Sequence, residues 1–294
     1  MGKLDAFKEI VREGAPASEI TWLRLGGSIE FLARPRSENE LVALLKECAR
    51  ERLQVRALGE GAGVLVSDVG APGVVVQLTE PDFCKLEIEG TRVVVGAGLK
   101  LGRLATATVA AGLGGLEGLV GVPGSVGAAV ATNASTSDAS LGQRVESARV
   151  AFLDGEVRTL AQDDFLFGYR SSNLANAIIL SVAFKLDPED PTALSKRMQK
   201  IWIARKKSTP ELQDGEGLAR MFKNPRGQSA AELIESAGFS GATIGGAFVC
   251  ESNPNLVRTS VGCKSEDVKR LLALIQTQAN ARLGLELERE LEIW

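Results

Sequence analysis

Residues 113–135 read Leu-Gly-Gly-Leu-Glu-Gly-Leu-Val-Gly-Val-Pro-Gly-Ser-Val-Gly-Ala-Ala-Val-Ala-Thr-Asn-Ala-Ser. Glycine reaches φ > 0 and leaves neighbouring amides uncovered, so such a run lets the main chain approach a ligand closely. Pro123-Gly124 signals a turn, and Ser125 is placed to cap a short small-residue helix opening at Val126. Amides converging at that helix start predict a site for a phosphate or another anion. The alternative reading is a tightly packed glycine-rich loop with no ligand.

A second glycine cluster lies upstream, Gly59-Glu60-Gly61-Ala62-Gly63, followed by Val64-Leu65-Val66. It follows a strand-like run at 54–58 and precedes another apolar run. A Rossmann fingerprint needs strand, glycine turn, then helix, so this is a different arrangement. The chain also has no Walker-type Gly-Lys-Ser/Thr. Two separate glycine clusters can still hold one extended diphosphate between them.

At 294 residues the chain is long enough for a substantial core and two or three domains. A net charge of -3 gives no general footprint for nucleic acid or an anionic membrane. The longest apolar runs, such as 177–184, are strand-length and too short to span a bilayer. The first ten residues mix charges and lack a signal-peptide core, which predicts a cytoplasmic protein. Cys48, Cys84, Cys250 and Cys263 are widely spaced with no Cys-x-x-Cys, as expected of core thiols in a reducing compartment. There is no histidine, so imidazole acid–base chemistry is absent and no metal site is expected.

Outward from the glycine stretches, Ser37 and Glu40 read as a capping box ahead of Leu41, Leu44, Leu45 and Cys48 at helical spacing. Val74-Val75-Val76 reads as a buried strand, so the start is a small α/β unit. Val93-Val94-Val95 predicts a strand, and a helix through Leu101, Leu104 and Ala105 stops near Gly112. Residues 150–160 form a hairpin turning at Asp154-Gly155, and 178–184 a further strand. Asp190-Pro191 caps and opens a helix to Lys207. Beyond it come a second capping box at Ser229 and Glu232, a helix ending at Gly238, a strand at 247–249, and a long helix over 265–283 stopped by Gly284. The tail 285–294 alternates, with Leu285, Leu287, Leu291 and Ile293 on one face and Glu286, Glu288, Glu290 and Glu292 on the other.

Taken together, these motifs make the chain resemble the UDP-N-acetylenolpyruvoylglucosamine reductase (MurB) family. The markers are Arg24-Leu25-Gly26-Gly27, Arg34-Pro35-Arg36-Ser37, the cluster at 59–65, and Gly121-Val122-Pro123-Gly124-Ser125-Val126-Gly127. Asn133-Ala134, Phe167-Gly168-Tyr169-Arg170 and Phe222-Lys223-Asn224-Pro225 continue the series in the family's order, so the similarity runs from about residue 21 to residue 294. The resemblance implies an α+β protein with a MurB-like FAD-binding fold, two α/β subdomains around the flavin at 1–80 and 81–190. A C-terminal α/β substrate-binding domain follows at 191–294, and its final strand returns to the active site. The short connection from Asn133 to the hairpin marks the shorter type of the family.

The implied chemistry is a two-step hydride relay from NADPH to FAD and on to the enolpyruvyl carbon of a UDP-sugar substrate. Such a relay needs a cation beside the substrate carboxylate and a positioned acid. By resemblance, Arg170 stabilises the charge, Tyr169, Lys223 and Asn224 contact substrate, and Glu290 is the catalytic glutamate. FAD would be held by Gly59, Gly61, Ala62, Gly63 and Val64 in one loop and by Gly121, Pro123, Gly124, Ser125, Gly127 and Asn133 in the other. Without the resemblance, Arg170 reads as a surface ion pair and Glu290 as part of a solvated strand face.

The chain departs from the family at several of these places. Arg220 stands at the proton-donating serine position, two residues before Phe222. Ala62-Gly63 replaces Ser-Asn, Glu60 adds a carboxylate, Ala128 replaces a glycine, residues 134–138 read Ala-Ser-Thr-Ser-Asp, and Asn253-Pro254-Asn255 replaces His-Ala-Asn. These departures keep two further readings open. One is a catalytically degenerate homologue acting as a binding or regulatory module in cell-wall synthesis. The other is a flavin enzyme of the same fold with a changed substrate.

Overall fold

The computed structural model describes residues 3–136, 140–174, 176–225 and 227–294. Helices and strands mix throughout, as an α+β chain requires, and divide between two compact units. The first takes residues up to Glu13 with Phe31–Gly59 and Gly73–Arg205; the second takes Gly14–Glu30, Glu60–Pro72 and Lys206–Trp294.

In the first unit, α1 (Glu38–Arg50) opens where Ser37 Oγ accepts the Glu40 amide at 3.3 Å. The expected capping box is only half formed. The Glu40 carboxylate accepts from the Arg36 amide (2.8 Å) and the Arg36 guanidinium, because a charged donor beside an amide outcompetes the Ser37 amide alone. Leu41, Leu44, Leu45 and Cys48 are all fully buried and share a cluster with Val74, Val76, Ala151, Ile178 and Leu180. At about 1.5–3 kcal/mol per buried large apolar side chain, that stripe outweighs any cap. Strand Val55–Ala57 lies parallel to Ala71–Val76 with Val55 opposite Val74, giving the strand–helix–strand start.

A five-stranded antiparallel sheet follows, in the order Val157–Ala161, Val145–Phe152, Ala177–Lys185, Arg92–Gly96, Leu86–Glu89. Its hairpin turns where predicted, with the Phe152 amide bonded to the Glu156 carbonyl and Gly155 at φ 85°. Val93, Val95, Val150, Val182 and Phe184 form a core with α2 (Leu101–Ala110) and α3 (Val126–Ala131). Next, α4 (Pro191–Lys207) starts where Asp190 Oδ2 accepts the Ala193 amide at 2.9 Å.

The second unit has a four-stranded antiparallel sheet in the order Gly217–Arg220, Leu256–Thr259, Ala247–Val249, Thr243–Ile244. Against it pack α5 (Ala230–Ser236), stopped by Gly238, and α6 (Ser265–Leu283), stopped by Gly284 at φ 64°. Val268, Leu271, Leu272, Ile275 and Ala279 make the buried stripe of α6. Its first amides are met by Asp68, whose Oδ1 accepts from Ser265 (2.9 Å) and Oδ2 from Glu266 (3.4 Å). Partial burial pushes the Asp68 carboxyl up, but bonds from Ser265 and Glu266 together outweigh it and hold the group below its ordinary value.

The tail corrects the expectation of one alternating strand. Leu287 and Leu291 are buried, but the amides of Glu290 and Leu291 both turn to the Met221 carbonyl, which interrupts the ladder. Only Glu292–Ile293 pairs as a strand, parallel to Val64–Leu65 directly after the first glycine cluster. Among the described residues, no helix is long and apolar enough to cross a membrane.

Cys48, Cys250 and Cys263 are buried, whereas Cys84, beside the short helical turn Pro81–Phe83, is only half-buried. Burial pushes the first three thiols up to about 11. A thiol so raised is almost wholly neutral at pH 8, and the thiolate is the reactive form. Alkylation of these three by iodoacetamide at pH 8 is therefore expected to run about 10²-fold slower in the native protein than in urea. Equal rates, read by peptide mass, would contradict their burial.

Candidate functional site

In the first unit Gly59, the first residue of the upstream glycine cluster, packs against the downstream one. A Cβ on Gly59 would stand 2.7 Å from Ser125 Oγ and 2.8 Å from Ala128 Cβ, so the chain closes against the start of α3 only because Gly59 lacks a side chain. Gly127 likewise leans on Ala97, whose Cβ would be 2.8 Å from an added methyl. The expectation that the α3 amides receive an anion is corrected. Val126 donates to the Leu99 carbonyl (2.9 Å), Gly127 to Ala97 (2.8 Å) and Ala128 to Ser125 Oγ (3.4 Å). Docking the helix start against residues 97–99 consumes two of those donors, and the Ser125 cap takes the third.

Donors do remain just ahead of the helix. Among the described residues, none accepts a hydrogen bond from the amides of Gly59, Gly121 or Ser125. Pro123 has no amide to give, and Gly121 and Gly124 set the turn with φ of 72° and 126°. A Cβ on Gly124 would meet nothing within 4 Å. Arg205 of α4, not selected from the sequence, donates to the carbonyls of Val120 and Gly118 and holds this loop. Nothing in its helical spacing distinguishes it from the other cations of α4.

The second unit holds the rest of the first cluster. Among the described residues, none accepts from the amides of Gly61, Ala62 or Gly63. Gly61 is fixed at φ 72°, and its carbonyl accepts from the Trp22 amide at 3.1 Å. Gly63 faces open space, and Val64 begins the short strand paired with the C-terminus. Runs of uncovered amides in glycine turns suit phosphate oxygens. Each loop, within its own unit, therefore offers donors that fit the phosphate oxygens of a dinucleotide such as FAD.

Also in the first unit, Tyr169 and Arg170 occupy the tip of a tight turn. Gly168 and Ser171 close it, with amide-to-carbonyl distances of 3.0 and 3.4 Å. Arg170 sits at φ 53°, a left-handed conformation costing a non-glycine residue about 1–2 kcal/mol. Its guanidinium lies 5.9 Å from the centroid of the exposed Tyr169 ring. The turn borders an open hollow of about 600 Å³ lined by Phe165, Leu166, Phe167 and Ser172. Asn133 is buried and committed to protein partners. Nδ2 donates to the Gly168 carbonyl (2.8 Å), and Oδ1 accepts from Ser140 Oγ (2.7 Å) and the Gly142 amide (3.0 Å). Ser137 and Asp138 of the divergent 134–138 segment lie outside the described residues.

In the second unit, strand Gly217–Arg220 delivers the segment 220–224 beside 288–292. Phe222 bridges Arg289, and the Lys223 amide donates to the Glu288 carbonyl at 2.9 Å. Lys223 Nζ stands 2.5 Å from the exposed Glu288 carboxylate, and Asn224 Oδ1 accepts the Ala230 amide at 3.0 Å. Arg220 is exposed at the strand's end. Glu290 is half-buried, unlike Glu286, Glu288 and Glu292, and so stands apart from a solvated row. Arg220, Lys223 and Glu290 thus come onto neighbouring segments of one unit.

What holds this patch is Asn255. It is fully buried, its Oδ1 accepting the Phe222 amide (2.9 Å) and its Nδ2 donating to the Phe222 carbonyl (2.7 Å). Its place in the Asn253-Pro254-Asn255 motif was visible, but its role was not, because a turn asparagine more often bonds its own loop.

Two family models match the chain. One, described as an FAD binding domain, covers residues 29–161; the other, described as the UDP-N-acetylenolpyruvoylglucosamine reductase C-terminal domain, covers 213–294. A Rhodopirellula baltica protein named UDP-N-acetylenolpyruvoylglucosamine reductase is 38% identical over 97% of this chain and 93% of its own. A Symbiobacterium thermophilum protein, named UDP-N-acetylenolpyruvoylglucosamine reductase 2, is 35% identical over 97% and 92%. The crystal structure of MurB from Thermus caldophilus is similar with a TM-score of 0.83 and 32% identity, covering 97% of this chain and 99% of that one.

Proposed function

The chain belongs to the UDP-N-acetylenolpyruvoylglucosamine reductase family, and from that membership we infer that it reduces UDP-N-acetylglucosamine enolpyruvate to UDP-N-acetylmuramate. The reductant is NADPH, the bound carrier is FAD, and the step belongs to peptidoglycan synthesis in the cytoplasm. The observation that carries the reading is the pair of glycine loops whose amides meet no acceptor among the described residues, one of them in the same unit as the Arg170 turn.

FAD, when bound, supplies the two-electron carrier between NADPH and the enolpyruvyl double bond. In the first unit the amides of Gly59, Gly121 and Ser125 would donate to phosphate oxygens of the flavin nucleotide, and in the second unit those of Gly61, Ala62 and Gly63 offer the same kind of donor. Pro123, Gly124 and Gly127 shape the first loop, and Val64 anchors the second to the C-terminal strand. Arg170 binds the substrate carboxylate and steadies the negative charge that grows there, because a guanidinium stays ionised and offers a planar fork. Tyr169 lies against the substrate. Lys223 exchanges its pairing with Glu288 for the UDP diphosphate, and Asn224 borders the same group. A guanidinium is a poor proton donor, so Arg220 serves to stabilise charge, and protonation of the substrate carbon falls to Glu290 or water.

The visible spectrum of the purified protein tests this. We expect flavin bands that bleach with NADPH in the absence of oxygen and return on adding the enolpyruvyl UDP-sugar. Bleaching without return would point to a different substrate. No flavin bands after incubation with excess FAD would overturn the reading.

A further inference from the structure

One end of α3 lies in the glycine loop and the other grips the Arg170 turn. Two bonds make the grip. Asn133 Nδ2 donates to the Gly168 carbonyl at 2.8 Å, and Ser172 Oγ donates to the Ala131 carbonyl at 2.7 Å. They land on either side of the Tyr169-Arg170 pair. Asn133 is itself fixed, since Ser140 Oγ and the Gly142 amide hold its Oδ1 and so orient the amide group with nitrogen toward Gly168. Its backbone sits at φ 43°, a conformation that asparagine tolerates better than most residues. Gly142 completes the seat, because a Cβ there would stand 2.6 Å from the Phe167 ring. A buried asparagine with three protein bonds is costly to satisfy, and all three converge on the placement of one turn.

We propose that Asn133 is a positioning residue: through the Gly168 carbonyl, and with Ser172 as its partner tie, it sets the Arg170 guanidinium relative to the glycine loop that opens α3. This rests on the assignment of Arg170 to the substrate carboxylate. The ties hold the chain on either side of a left-handed residue, where a small rotation swings a long side chain by ångströms. Misplacement of about 1 Å is enough to lose most of an oriented contact.

The test compares two ligands by calorimetric titration, UDP-N-acetylglucosamine and its enolpyruvyl ether, which differ by the carboxylate-bearing group. The ratio of their dissociation constants reads the placement of Arg170 without turnover. Asn133→Asp keeps both Oδ1 acceptor bonds and the left-handed backbone but turns an acceptor toward the Gly168 carbonyl. We expect it to cut the preference for the enolpyruvyl ligand about tenfold, with Ser172→Ala giving a smaller loss in the same direction and Ser172→Thr restoring it. Arg170→Ala should abolish the preference, and adding Asn133→Asp to it should change nothing further. If Arg170→Ala leaves the preference intact, the assignment of Arg170 fails. If Arg170→Ala removes it while Asn133→Asp and Ser172→Ala both keep the full ratio, the positioning proposal is overturned. Should Asn133→Asp fail to fold, the Ser172 pair decides alone.

Discussion

Arg170→Met is expected to lower kcat about 10³-fold while NADPH still bleaches the flavin within about twofold of the normal rate. Methionine keeps a long unbranched stem against the Tyr169 ring. It bears the same left-handed backbone cost as arginine at φ 53°, so the turn keeps its shape. What disappears is charge at the place where an enolate develops, and losing one such donor typically costs about 10²–10³-fold or more when the group is fully ionised. Arg170→Lys restores the charge but not the planar fork, so a partial recovery of about tenfold is expected. Stopped-flow traces separate the two halves of the cycle. If re-oxidation by the enolpyruvyl sugar runs at full speed in Arg170→Met, the cation at that step comes from elsewhere, Arg220 being the nearest chemical alternative in kind.

The elements set by local periodicity were legible in the sequence. The stripe of α1, the hairpin at Asp154-Gly155 and the limits of α6 at Ser265–Leu283 stand where apolar spacing and glycine stops place them. What lay hidden was supplied from far along the chain. The cap of α6 is Asp68, 197 residues away from Ser265, and no window around the helix contains it. The site divides the same way. The glycine-rich run at 113–135 reads as letting the main chain approach a ligand closely, but what approaches the first amides of α3 is the protein's own 97–99 segment. Composition cannot tell a backbone partner from a phosphate. Glu290 reads in sequence as one of four equal glutamates, but the hydrogen bonds from the Glu290 and Leu291 amides to the Met221 carbonyl break the alternation, and Glu290 is half-buried. Asn133 and Asn255 were visible as turn residues, but the main-chain groups they bind lie 35 and 33 residues away.

Gly61→Ala should weaken FAD binding about 10²-fold and lower the melting temperature of the flavin-free protein by about 5 °C. The argument is steric first. At φ 72° an alanine is already strained, and its Cβ would lie 2.3 Å from the Ile20 carbonyl oxygen and 2.8 Å from the Thr21 Cα. Both obstacles are backbone, so no side chain can swing aside and the loop itself must shift. That shift carries the amides of Gly61, Ala62 and Gly63 away from the diphosphate. With about 1.5 kcal/mol or more for each bond to a charged acceptor, losing two of three accounts for the expected weakening. Gly63→Ala separates fold from ligand. Its methyl would meet nothing within 4 Å, so the flavin-free protein should melt unchanged. FAD should nonetheless bind about tenfold more weakly, because a methyl beside the Gly63 amide would crowd a phosphate oxygen accepting from it. Equilibrium titration with FAD and calorimetry on the flavin-free proteins read both effects. Undiminished FAD affinity in both variants would mean that the first glycine cluster is a packing device and that the second loop alone carries the cofactor.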